Sequence, residues 1–256
     1  MVINMNTTKP TAIVTGASRG IGRGISTLLA RNGYKIIAVG TRPAEQVSEY
    51  INELTALSPD SLYVAADISK AECRAEIFDT AEKAGGFDIL INNAGLSHPK
   101  PTVEVLPEDF DVTVQTKFQG YFFMSQAAAR DMLRRGEGGA IVQIGSVQSA
   151  TVIPGQAVYA SVNAAIVQMT RSLAREWGKA GIRVNCIAPG SIHTPENAAR
   201  YADPAVEKAM CEKIPLGYRG YVEQIADAAF FLTGEQSAYI TGQTIYVDGG
   251  LSLCQG

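Results

Sequence analysis

The sequence predicts an α/β fold: one domain built on a doubly wound, seven-stranded parallel sheet with helices on both faces. Two observations carry this. Short apolar runs rich in β-branched residues alternate with longer stretches of helical period along nearly the whole chain, and 256 residues with 46% hydrophobic content suffice for one substantial core. The strand runs are TAIVT at 11–15, KIIAV at 35–39, SLYVAA at 61–66, FDILIN at 87–92, AIVQI at 140–144, RVNCI at 183–187 and QTIYV at 243–247. Between them the helical pattern predicts helices over 21–32, 43–57, 70–84, 107–135, 156–179 and 221–233. Parallel strands joined by helices cross over right-handedly and place a ligand at the carboxyl ends of the strands. Residues 190–220, with Pro195, Pro204, Pro215, Gly217 and Gly220, form the longest connection after a strand. They read either as a surface excursion or as a substrate lid, and the position beyond a strand's carboxyl end favours the lid.

Composition excludes several classes of function. A formal net charge of -3 and the absence of any basic run argue against nucleic acid as the main partner. Cys73, Cys186, Cys211 and Cys254 are scattered, with only His98 and His193 to join them, so neither a disulfide framework nor a metal site has its spacing. Residues 1–10 lack an apolar signal core and no long uncharged apolar stretch follows, which predicts a cytoplasmic protein with no membrane span.

Directly after the first strand comes Thr15-Gly16-Ala17-Ser18-Arg19-Gly20-Ile21-Gly22, opening a helix. Glycines there let the backbone turn tightly and approach a pyrophosphate, which free N–H groups at the helix start stabilise. With NNAG at 92–95, Asp67-Ile68, Ser146, Tyr159, Pro189-Gly190 with Thr194, and YITGQTIYVDGG at 239–250, the chain resembles the short-chain dehydrogenase/reductase family. The likeness runs from residue 11 to residue 250 and is nearest to 3-oxoacyl carrier-protein reductases and sugar or polyol dehydrogenases.

The resemblance implies a Rossmann-type fold and roles for individual residues. Gly16, Ser18, Gly20, Ile21 and Gly22 would cradle the cofactor phosphates, Asp67 and Ile68 would flank the adenine, and Asn92, Asn93, Ala94 and Gly95 would line the cofactor floor. Pro189, Gly190, Ile192 and Thr194 would hold the nicotinamide end. At the end of the second strand, where the family usually carries an acid for the ribose of NAD, stands Gly40, with Arg19, Thr41 and Arg42 nearby. Two guanidinium groups and a hydroxyl suit a 2'-phosphate, so the expected cofactor is NADP(H).

In the family a serine polarises the substrate oxygen, a tyrosine exchanges the proton, and a lysine four residues on lowers the tyrosine pKa. An asparagine on the preceding long helix helps to seat that lysine. Ser146 and Tyr159, thirteen residues apart, fit the first two roles. Asn163 stands at the lysine position, and Lys117 falls where the asparagine belongs. Three readings of this exchange stay open: Lys117 reaches across to restore the charge beside Tyr159; catalysis is lost and a silent NADP-binding or regulatory protein remains; or Lys117 points to solvent and the coincidence means nothing. The first is preferred, because a simple loss would not place a new lysine facing the same pocket.

A reversible hydride transfer between NADPH and a small carbonyl or secondary alcohol, of 3-oxoacyl or sugar/polyol type, is therefore expected. Gln148, Ser149, Gln156 and Tyr201 would shape a polar substrate pocket with Ser146 and Tyr159, or simply make loop hydrogen bonds. His193 and His98 are minor candidates near the cofactor and the pocket mouth. Family resemblance further implies a homotetramer, paired through the helices at 107–135 and 156–179.

Overall fold

The computed structural model describes residues 10–253. Cys254 and nearly all of the 1–10 segment lie outside the described residues. Seven parallel strands form one sheet in the order β3-β2-β1-β4-β5-β6-β7. They are β1 (Thr11–Thr15), β2 (Lys35–Gly40), β3 (Leu62–Ala65), β4 (Ile89–Asn92), β5 (Gly139–Ile144), β6 (Ile182–Pro189) and β7 (Thr244–Val247). The order reverses between β1 and β4, which opens a crevice at their carboxyl ends.

Alternation along the strands assigns side chains to two cores. Ala12, Val14, Ile36 and Ala38 face one layer, holding helices α1 (Gly20–Arg31), α2 (Ser48–Leu57) and, later in the chain, Ile225, Ala229 and Leu232. Ile13, Ile37, Val39 and Leu90 face the opposite layer with Ile77, Tyr121, Met124 and Ile166. Strands buried on both faces read as continuous apolar runs, which is why five-residue stretches such as TAIVT could be recognised as strands.

The second layer contains α3 (Ala71–Lys83), α4 (Pro107–Thr113), α5 (Gly120–Arg135) and α6 (Ala157–Trp177). The helix expected to run unbroken over 107–135 is interrupted by a π-helical turn at Val114–Gln119, between α4 and α5. A π turn takes up one extra residue without leaving the helix axis, and such turns concentrate at functional sites. The 190–220 excursion contains a helix that its prolines and glycines do not predict, α7 (Pro204–Cys211), capped by Asp203, whose Oδ1 accepts from the Ala205 amide at 2.8 Å. The last helix is α8 (Val222–Thr233), and no helix among the described residues is long and apolar enough to cross a membrane.

Candidate cofactor and catalytic site

The loop from β1 to α1 is a backbone cradle. Gly16 and Gly20 have φ of +65° and +51°, a region that side chains avoid. A methyl group on Gly22 would collide with the Gly16 carbonyl oxygen, so helix and turn approach as closely as backbone allows. Arg19 at the helix start makes no side-chain cap, and the first turn of α1 carries no acid, so its amides are open to an anion. The floor is tied to this cradle: Thr15 Oγ1 accepts from the amides of Asn93 and Ala94 at 2.9 and 3.1 Å, and Asn93 Nδ2 donates to the Thr15 and Gly16 carbonyls at 2.9 and 3.2 Å. Such an arrangement fits a dinucleotide pyrophosphate.

At the end of β2, Arg42 donates to the Ser18 hydroxyl and carbonyl at 3.0 and 3.2 Å, and Tyr63 Oη donates to the Arg42 carbonyl at 2.7 Å. A Cβ on Gly40 would lie 2.8 Å from Tyr63 Oη and 3.2 Å from Ser18 Oγ. The space an acid would need is filled, and Thr41 is exposed beside it. Arg19 is turned to Glu196, with Nε 3.0 Å from Oε1. Asp67 Oδ1 accepts from Ser69 N and Oγ. The Ile68 side chain is buried, against the position a Cβ on Gly120 would take.

Ser146 follows β5 and caps a short turn, its Oγ accepting from the Gln148 amide at 3.2 Å. Tyr159 lies in the first turn of α6, and Asn163 Nδ2 donates to its carbonyl at 2.8 Å. Burial pushes the Tyr159 phenol above its ordinary value, and hydrogen bonds with Ser146 and Asn163 pull the other way.

Lys117 does not point to solvent. It projects from the π turn into the interior and is 3% exposed. Its Nζ donates to the Ile144 carbonyl at 2.7 Å and to Tyr121 Oη at 3.3 Å, and stands 5.7 Å from the centre of the Tyr159 ring. Gly95 makes room for it, since a Cβ there would lie 3.1 Å from Lys117 Cδ. Burial lowers the ammonium pKa to about 8, with Cys186 nearby. This charge does not lower the Tyr159 pKa as expected: Nζ places its hydrogen bonds on Ile144 and Tyr121, and desolvation of the phenol prevails. Asn163 is fully buried, and its Oδ1 has no partner.

The remaining candidates separate clearly. Gln148 Nε2 and Ser97 Oγ both donate to Gln156 Oε1, at 3.2 and 2.6 Å, leaving the buried Gln148 Oε1 unpartnered. Ser149 meets Tyr246 Oη at 3.2 Å. Gly190 packs against the Asp248 backbone, with its amide bonded to Val247; Pro189 ends β6. His98 is exposed. His193 is stacked on Tyr221 at 4.8 Å with Nε2 3.5 Å from Glu207, so it belongs to the fabric of the excursion.

The sequence reading missed Arg219, which is 1% exposed. It donates to Ser191 Oγ, the Ile192 carbonyl, Asn197 Oδ1 and Glu207 Oε2 at 2.9, 3.0, 3.0 and 2.8 Å, and its guanidinium lies 3.6 Å from the Tyr201 ring centre. The carbonyl of buried Ile192 is thereby fixed directly and the Thr194 amide through Asn197 Oδ1, and Tyr201 lies under the guanidinium. An arginine among prolines and glycines gives no sequence signal of burial.

A family model described as enoyl-(acyl carrier protein) reductase matches residues 16–252. The chain belongs to the short-chain dehydrogenase/reductase family, oxidoreductases that work with a nicotinamide cofactor. A 3β-hydroxysteroid dehydrogenase of Eggerthella lenta is 35% identical over 247 residues, covering 96% of this chain and 95% of that protein. A 3-oxoacyl-(acyl-carrier-protein) reductase of Staphylococcus aureus is 36% identical over 243 residues, covering 94% of this chain and 98% of its own. The solved gluconate 5-dehydrogenase of Burkholderia cenocepacia, in complex with NADP and tartrate, has a TM-score of 0.90 at 31% identity, covering 99% of this chain and 98% of that one.

Proposed function

We propose that the chain is an NADP(H)-dependent reductase that interconverts a carbonyl and a secondary alcohol, with Lys117 as the cation of its catalytic site. The observation that carries this reading is the burial of Lys117 with its Nζ 5.7 Å from the Tyr159 ring. A buried lysine is costly unless it is paired or used. Bound nicotinamide supplies or accepts the hydride. Ser146 Oγ polarises the substrate oxygen, and Tyr159 Oη donates or accepts the proton. Of the three protons on Lys117 Nζ, two are held by Ile144 and Tyr121, which leaves one to turn toward Tyr159 or the cofactor ribose. Asn163 holds the helix turn at Tyr159 and offers its unpartnered Oδ1 to the same pocket.

A hydroxylated substrate of the sugar or polyol kind is favoured over a long acyl chain. Gln148 Oε1 is a buried acceptor awaiting a donor, two residues from Ser146, and it is fixed through Gln156 and Ser97. The relative solved with NADP and tartrate supports the same class. Residues 190–220 serve as a lid stapled by Arg219. Exposed Phe110, Phe118, Phe122 and Leu133 on α4, the π turn and α5 support pairing of this stretch, together with α6, in a homotetramer.

Following NADPH absorbance with 3-oxoacyl esters, sugar ketones and diketones tests the reading. Turnover of a hydroxylated ketone is expected; tight NADPH binding with no turnover anywhere in the panel would establish the silent alternative. NADPH should bind at least tenfold tighter than NADH, and Arg42→Ala should remove most of that difference, because a guanidinium bonded to a 2'-phosphate discriminates by about 1.5 to 3 kcal/mol. Equal affinities in the unaltered protein would refute the assignment of NADP(H).

A further inference from the structure

Glu196 reaches the start of α1, beside the glycine cradle. Its Oε2 and Oε1 are 3.0 and 3.5 Å from the position a Cβ on Gly20 would take, at the open start of α1, and Oε1 pairs with Arg19 Nε at 3.0 Å. The residue comes from the far side of the crevice, on the short turn Pro195–Asn197 of the excursion. That turn is not free to drift. Asn197 Nδ2 donates to the Ile192 carbonyl at 2.6 Å, and its Oδ1 accepts from Arg219, which also holds Ser191 and Glu207.

We infer that the Glu196 carboxylate is a placeholder for the phosphates of the dinucleotide, and that its displacement couples cofactor binding to the 190–220 excursion. The carboxylate sits beside the helix start and pairs with Arg19, and it would repel a phosphate arriving at the same place. The pair with Arg19 is weak enough to be exchanged, since the two side chains are 52% and 31% exposed. Phosphate offers Arg19 a stronger, charge-assisted and bidentate partner. Because Arg219 binds the turn to both ends of the excursion, a carboxylate driven out of the cradle carries those residues with it.

The inference rests on the cradle holding a dinucleotide, not on any turnover. Titration of NADPH fluorescence on the full chain should give a Kd about three- to tenfold lower for Glu196→Gln, and likewise for Glu196→Ala, than for the unaltered protein. An unchanged or higher Kd in both variants would overturn the placeholder, and a higher one would make Glu196 a cofactor ligand instead. Limited proteolysis reads the coupling. NADPH should change the rate of cleavage within 190–220 of the unaltered protein, and Glu196→Gln without NADPH should already show much of that change. The same cleavage rate with and without NADPH would overturn the coupling. Failure of the catalytic reading would leave these binding and cleavage results intact, so the two are distinguishable.

Discussion

Replacing Lys117 by methionine should lower kcat/KM for carbonyl reduction by roughly ten- to a thousandfold, close to the effect of Tyr159→Phe. A cation within reach of a phenol typically favours its ionised form by about 1.4 to 4 kcal/mol, and that preference is expressed where the proton leaves the tyrosine. Methionine keeps the length and apolar stem, so a large loss would be a loss of charge rather than of packing. The sharper measurement is the double exchange, Lys117→Asn with Asn163→Lys, which returns lysine to the α6 position and should regain at least a tenfold part of the single-variant loss. Failure of the exchange, with Lys117→Met fully active, would remove the catalytic role of Lys117.

The same residue predicts a pH profile. Its ammonium titrates near 8 because burial disfavours the charged form. Reduction that needs the ammonium should therefore decline as pH rises through about 8, with that decline absent from Lys117→Met. Stability runs the other way. Between about 8 and the ordinary 10.5 the unfolded chain binds the proton that the folded chain has released, so the contribution of Lys117 to stability rises across that window. Below about 8 the buried charge costs roughly 3 kcal/mol, and Lys117→Met should melt higher at neutral pH while working worse.

Arg219→Met is the substitution expected to damage stability most. It leaves Glu207 Oε2 without its cation and takes one donor each from the Ile192 carbonyl and Asn197 Oδ1, which keep only Asn197 Nδ2 and the Thr194 amide, and the lost guanidinium is 1% exposed. Breaking a buried charged network by removing one partner costs about 3 kcal/mol or more, which in a chain of this size lowers Tm by roughly 6 to 12 °C. Calorimetry would measure the loss, and proteolysis should concentrate in 190–220. A Tm within about 2 °C of the unaltered protein would show that the excursion contributes little to the cooperative fold.

Strand positions were legible because a parallel sheet buries both faces: residues 11–15 were predicted and observed as β1 with the same bounds. The cradle was legible because glycine chemistry is local. What escaped the sequence was whatever depends on approach between distant segments. Arg219 looks like any loop arginine until Ser191, Asn197 and Glu207 converge on it. Glu196 and Arg19 are far apart in sequence and meet only across the crevice. The helix α7 had a readable signal, Asp203 followed by Pro204 at the first helical position, outweighed by the prolines and glycines around it. Lys117 is buried with its Nζ 5.7 Å from the Tyr159 ring centre, and its hydrogen bonds go to Ile144 and Tyr121, partners that no spacing rule reveals.

The π turn at Val114–Gln119 gives the exchange of lysine and asparagine a mechanical side. Within one regular helix each residue advances by about 100°, so absorbing one extra residue sets the clock of α5 against that of α4. Lys117 sits inside this phase slip. Shortening the turn by one residue would leave both helices intact and still rotate the ammonium out of the pocket. The proposed catalytic charge is thus addressed by chain length as well as by residue type, and an insertion or deletion could switch it as surely as a substitution.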